Sequence, residues 1–171
     1  MQPEITRSEK KVGSQVSAQI WMDGYDDTFL NLLGVAAARV VCDKAFEAVV
    51  KLWMQMLDED HRLKLEGAST VPEALYRFVE ISGRTGLFEW LENIELKEKS
   101  DGLCMAIRGC SRIDRCRAIA GSCKELRSLP CPRIGCSRAL LSQLTGENYS
   151  YTLENIDAGN GICKGILARG R

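Results

Sequence analysis

Two pairs of alternating segments, each folded about a short polar turn, constrain this chain more than any other feature. Leu103, Met105 and Ile107 fall on one side of a segment whose other side carries Cys104, Ala106 and Arg108, the two-residue period of a strand. Residues 87–97 and 102–108 therefore predict a hairpin across the turn Glu98-Lys99-Ser100-Asp101. Residues 148–156 and 162–168 predict a second hairpin across Asp157-Ala158-Gly159-Asn160-Gly161. Short turns join antiparallel strands, so the expected sheet is four-stranded and antiparallel, built from two hairpins.

The remaining segments read as helices. Phe29, Leu32, Leu33, Val35, Ala36, Val40 and Val41, then Phe46, Val49, Val50, Trp53 and Leu57, recur at helical spacing. They predict one long helix or two over residues 25–57, with a division near residues 42–44. Ser69-Thr70-Val71-Pro72-Glu73 carries a hydroxyl cap, a proline in the first turn and an early acid, and predicts a helix running to about Ile81. Residues 112–128 form a helical, cysteine-bearing connection. Pro132 opens a further helix over 133–144 that Gly146 ends. Helices gathered on one face of an antiparallel sheet make the expected class α+β. Residues 1–24, which lack periodicity, are read as a flexible lead-in, and 25–171 as a single domain with a cysteine-rich insert at about 104–136.

Charge excludes some partners. Lys and Arg number 23 and Asp and Glu 23, leaving no net field to attract nucleic acid or anionic lipid. Apolar runs such as residues 29–41 are broken by Asn31, Gly34 and Arg39 and are too short for a bilayer span. The polar first residues lack the pattern of a secretory signal, so the expected location is cytoplasmic, where thiols stay reduced.

Six of the eight cysteines, Cys104, Cys110, Cys116, Cys123, Cys131 and Cys136, fall within 33 residues, and Cys42 and Cys163 stand apart. Neighbours of the cluster are mostly Arg, Asp, Ser, Gly and Lys, which argues against inert packing for all of them. No CxxC pair is present, so neither a zinc ribbon nor a thioredoxin-like site is indicated. Cys131 is the most pointed of the set. Pro132 places it at a helix start, where free N–H groups and the dipole stabilise a thiolate. Such a thiolate suits a soft metal or an electrophile. The single histidine, His61, lies in a polar stretch away from the cluster. No GxGxxG, P-loop or GxSxG motif occurs, and catalysis is not the expected role.

Cys131-Pro132 opening a helix, then Leu141-Ser142-Gln143-Leu144-Thr145-Gly146, then a strand with Glu154 and Asp157 and a last strand bearing Cys163, resembles the 4-vinyl reductase (4VR) domain. The resemblance covers about residues 29–167 and includes residues 69–75 and the Gly83 to Gly86 entry to the first hairpin. It implies a fold related to heme-based nitric-oxide sensor domains and to TRAPP vesicle-tethering subunits, with an apolar cavity for a hydrophobic or aromatic small molecule. In related aromatic-sensing regulators zinc is held by a cysteine before the last helix, an acid on the next strand and two further cysteines. By position these fall on Cys131, Glu154, Asp157 and Cys163. The chain departs from the pattern at Asp157, where cysteine is usual, and in a shorter turn before Cys163.

The expected function is thus a non-enzymatic sensor module with a zinc site, its ligand pocket lined by Trp53, Met56 and Phe88, acting on a partner regulatory protein and forming a homodimer. The alternative is an iron–sulfur or thiol redox protein using Cys110, Cys116 and Cys123 with Cys131 or Cys136.

Overall fold

The structure, a computed structural model, describes residues 7–88, 94–100, 102–110, 112–122 and 126–170, and within these not the side chains of 7–23, 25–27 and 120–122. The first apolar stripe forms helix α1, Arg7–Met56. Its course breaks once, at Gly34, where φ is 72° and ψ 167°. Glycine reaches that conformation without a Cβ penalty, so the break falls there and residues 42–44, the expected division, are continuous helix. The stretch read as a flexible lead-in is helical from Arg7 onward. Glu9, Lys10, Lys11, Gln15 and Ala18 are good helix formers that carry no apolar period to read.

Helix α2, Glu59–Glu66, is capped by Asp58, which accepts the His61 N–H at 2.9 Å. Helix α3, Val71–Arg84, starts as expected: Thr70 Oγ1 accepts the Glu73 N–H at 3.3 Å and Glu73 accepts the Ser69 N–H at 2.8 Å. The Leu87 and Phe88 N–H groups return to the Ser82 carbonyl. Those two residues therefore close α3 and do not begin a strand, and residues 89–93 of the expected strand lie outside the described residues.

Strands β1, Ile94–Lys99, β2, Gly102–Arg108, β3, Tyr149–Asp157, and β4, Ile162–Arg169, make one antiparallel sheet in the order β1-β2-β4-β3. The two hairpins meet along β2 and β4, with Ile107 opposite Cys163. Between β2 and β3 run α4, Ile113–Ser122, a 3₁₀ turn at Leu126–Ser128, and α5, Pro132–Thr145. The arrangement is α+β.

Helix α5 is the centre of the molecule, buried at every position from Pro132 to Leu141. It lies between α1 and the sheet, and a glycine sits at each contact. A Cβ on Gly135 would stand 2.3 Å from Phe46 Cδ2, and one on Gly165 would stand 2.7 Å from Ile134 Cδ1 and 2.8 Å from the Thr152 carbonyl. Arg138, also buried, ties α5 to α1 by donating to Glu47 and to the Asp43 carbonyl, both at 3.0 Å.

Candidate thiolate centre

Cys131 is the N-cap of α5, with extended φ −126° and ψ 109°. Proline at the first helical position has no N–H, so the donors facing the sulfur are those of Arg133 and Ile134. The Cys131 N–H itself donates to the Tyr151 hydroxyl at 2.8 Å. Arg39 fixes Tyr151 in turn: its guanidinium stacks 3.4 Å from the ring centroid, donates to the Tyr151 carbonyl at 2.7 Å and grips Asp43 at 2.9 Å. Helix α1 and strand β3 thereby position the start of α5.

Three more thiols, Cys163 on β4, Cys116 on α4 and Cys110 just after β2, lie within electrostatic reach of one another or of Cys131. Cys163 lies on β4 opposite Ile107 and Ile156, on the face covered by α5, and its S–H donates to the Cys131 sulfur. Cys110 follows β2, where the Gly109 N–H donates to the Gly161 carbonyl at 2.8 Å and ties the end of β2 to the β3–β4 turn. Cys116 is on α4, whose start is anchored by the Ile113 N–H on the Cys110 carbonyl at 3.1 Å. Negative charge on Cys110 or Cys116 reaches Cys163 and raises its pKa.

The electrostatics divide the four. The Cys163 hydrogen bond, outweighing burial and aided by the Ile134 and Arg133 N–H groups and the Arg112 charge, brings Cys131 down to about 7. Cys163 moves far up because its proton serves that thiolate, with burial adding to the rise. Burial also pushes Cys110 up, partly offset by the Arg112 N–H and by a hydrogen bond from the Arg133 guanidinium. Cys131 is thus the thiol whose ionisation this arrangement favours, with the Arg112 charge beside it.

Of the residues expected to ligate a metal, the structure places Cys131 and Cys163 in hydrogen-bond contact, with Cys110 and Cys116 of the alternative set within electrostatic reach of Cys163. It does not bring in the carboxylates. Glu154 is the extra residue of a bulge between Leu153 and Asn155 and pairs with Lys99 at 2.9 Å. Lys99 shares its face with Lys97 and Cys104, opposite to the face of Cys163. Asp157 accepts from the Asn160 N–H at 3.1 Å and side-chain amide at 2.8 Å, closing the turn. Cys136 sits among apolar neighbours on α5, where burial pushes its thiol up. Cys123 lies outside the described residues. His61 pairs with Asp58 at 2.8 Å.

The expected pocket residues divide as well. Trp53 and Phe88 both pack edge-on against Phe78, with centroids 5.4 and 6.5 Å apart, and Trp53 donates to Thr85 at 3.0 Å. Met56 is 84% exposed and does not join them, because it lies on the side of α1 away from α5. A cleft of about 170 Å³ opens elsewhere, between α5 and the α2–α3 corner, lined by Leu65, Ala68, Val71, Ala74, Leu141 and Leu144 with Thr70 and Thr145.

Thiols are donors of the type a thiophilic ion takes. Four thiolates around a divalent metal carry two net negative charges, which Arg112 and Arg133 are placed to offset. Among the described residues no three His, Cys, Asp or Glu side chains stand close enough together to hold a metal ion as they are placed. No helix among the described residues is long and apolar enough to cross a membrane. No family model matches the chain, nor does any curated protein or solved structure.

Arg39, Tyr151 and Arg112 are the neighbours of Cys131 that sequence reasoning missed, whereas Arg133, two residues after Cys131, was expected to bring positive charge near it. Only the basic residues among the cysteines hinted at Arg112.

Proposed function

We propose that the chain is a non-enzymatic small-molecule-binding regulatory module whose sheet and central helix are tied together by one zinc ion on cysteine thiolates. One observation supports this reading: Cys131 at the start of the buried helix α5 and Cys163 on β4 share a hydrogen bond, with Cys110 just after β2 and Cys116 on α4 within electrostatic reach of Cys163. When bound, zinc supplies a cross-link between these elements that the unfolded chain lacks, so its binding energy becomes folding energy. Cys131, with its thiol already lowered to about 7, would be the most readily ionised ligand, and Arg112 and Arg133 would offset the negative charge of a thiolate set. Elemental analysis of anaerobically purified protein tests the reading, with Cys131→Ser and Cys163→Ser expected to lose the metal.

The ligand half of the proposal is supported by the 4VR resemblance and by the cleft beside α5. At about 170 Å³ it has room for a ligand the size of one aromatic ring, with Glu66, Ser69, Thr70 and Thr145 offering polar contacts beside the apolar wall. Toluene or phenol should raise the melting temperature, and Leu141→Phe, which fills the cleft, should abolish that rise.

The thiol redox alternative is favoured by a different detail, the Cys163 hydrogen bond to Cys131. Two sulfurs in that contact are near a disulfide. Intact mass after mild oxidation separates the readings: loss of two hydrogens within one chain supports redox chemistry, whereas zinc retained under the same treatment supports the metal centre.

A further inference from the structure

Helix α1 is apolar on two sides beyond its break at Gly34. Ala38, Cys42, Phe46, Val50 and Trp53 are buried, and Phe46 meets α5 at Gly135. Ala37, Val41, Ala45, Ala48, Leu52 and Met56 also recur at steps of three or four, the spacing of one helix face, and every one of them is exposed. Val40 at 63% and Leu52 at 59% exposure mark how open this second face is. Only Lys44, Lys51 and Gln55 interrupt it.

We propose that this second face of α1 binds the same face of a second copy of the chain, antiparallel, about a two-fold axis at Ala45. The area is of the right order. Together these side chains expose on the order of 600 Å² of apolar surface, at the upper end of what monomers leave in one patch and close to the ~800 Å² per partner of a standard interface.

Self-complementarity gives the register. With Ala45 against Ala45, an antiparallel two-fold pairing sets Ala37 against Leu52 and Val41 against Ala48 or Val49, each larger side chain opposite a smaller one. Parallel packing instead sets Leu52 on Leu52 and Ala37 on Ala37, leaving clashes and gaps. It also aligns Lys51 with Lys51 along the seam. In the antiparallel pair the Lys51 side chains stand roughly 18 Å apart along the axis; Lys44, one residue from the axis, comes near its own copy in either arrangement and is held by its own Glu47 at 2.8 Å.

This interface uses none of the four cysteines of the thiolate centre. Sedimentation equilibrium of the full chain under reducing conditions tests it. A dimer is expected, with Ala45→Glu and Ala45→Lys each weakening it on the order of 100-fold through like charges at the axis while leaving the helical circular dichroism unchanged. Mixing those two variants should restore the dimer. Ala37→Glu should also dissociate it, and adding Leu52→Lys to the same chain should restore it, which a parallel pairing cannot do because Glu then faces Glu. A monomeric wild-type chain, a dimer indifferent to Ala45→Glu, or no rescue by Leu52→Lys would overturn the proposal.

Discussion

At Cys131 two unrelated sources of stabilisation act on one sulfur, the N–H groups of a helix start and the S–H of Cys163. In the reduced, metal-free chain, thiolate ultraviolet absorbance should therefore rise with a midpoint near about 7. Cys163→Ala removes the donor to the charged form, so the midpoint should move up; Cys136→Ser should leave it in place. The same titration governs the metal. Below about 7 protons compete for the Cys131 sulfur, and zinc affinity should fall as the pH drops. Cys131 was legible because Pro132 announces a helix start. Cys163 was legible only through a resemblance, and Cys110 and Cys116 were legible as members of a cluster but not as its partners. What joins them is the Gly109 to Gly161 contact between two hairpins, which no local pattern encodes.

Elements came through well where a period or a cap specifies them and poorly where a single residue changes the phase. Thr70 and Pro72 marked α3, and Pro132 and Gly146 bounded α5. In β3 the alternation runs Tyr151, Leu153, and then the bulge at Glu154 turns Ile156 inward in place of Asn155. Strict alternation therefore misplaces Asp157, which it would turn to the face of Cys163 and which lies instead on the opposite one with Ile162. Packing of α5 gives its own test. Gly165→Ala and Gly135→Ala put a methyl group against atoms under 3 Å away, and each should lower stability by about 1–3 kcal/mol in denaturant unfolding. Gly159→Ala, with only an ordinary contact at 3.6 Å, should stay within roughly 0.5 kcal/mol.

Across the whole molecule, the α+β class and the antiparallel sheet followed from two hairpins and a set of helices, but the role of α5 as the buried element between α1 and the sheet did not. Its sequence is polar enough, with Arg133, Ser137 and Arg138 all buried, to pass for a surface helix. Those arginines are held there by Cys110, Glu47 and the Asp43 carbonyl. Arg138→Ala should accordingly cost about 1.5–3 kcal/mol by leaving the Asp43 carbonyl and Glu47 without their charged donor, read as a shift in the unfolding midpoint.

A metal centre drawing one thiolate from each of four elements should make the fold depend on the ion as a unit. Zinc content and melting temperature, measured on the same anaerobically purified samples, test this most directly. The wild-type chain should carry one zinc per chain; Cys110→Ser, Cys116→Ser, Cys131→Ser and Cys163→Ser should each lose zinc and melt lower, and Cys42→Ser should keep its zinc. Zinc retained by both Cys131→Ser and Cys163→Ser, or a wild-type chain holding iron or no metal at all, would contradict the account.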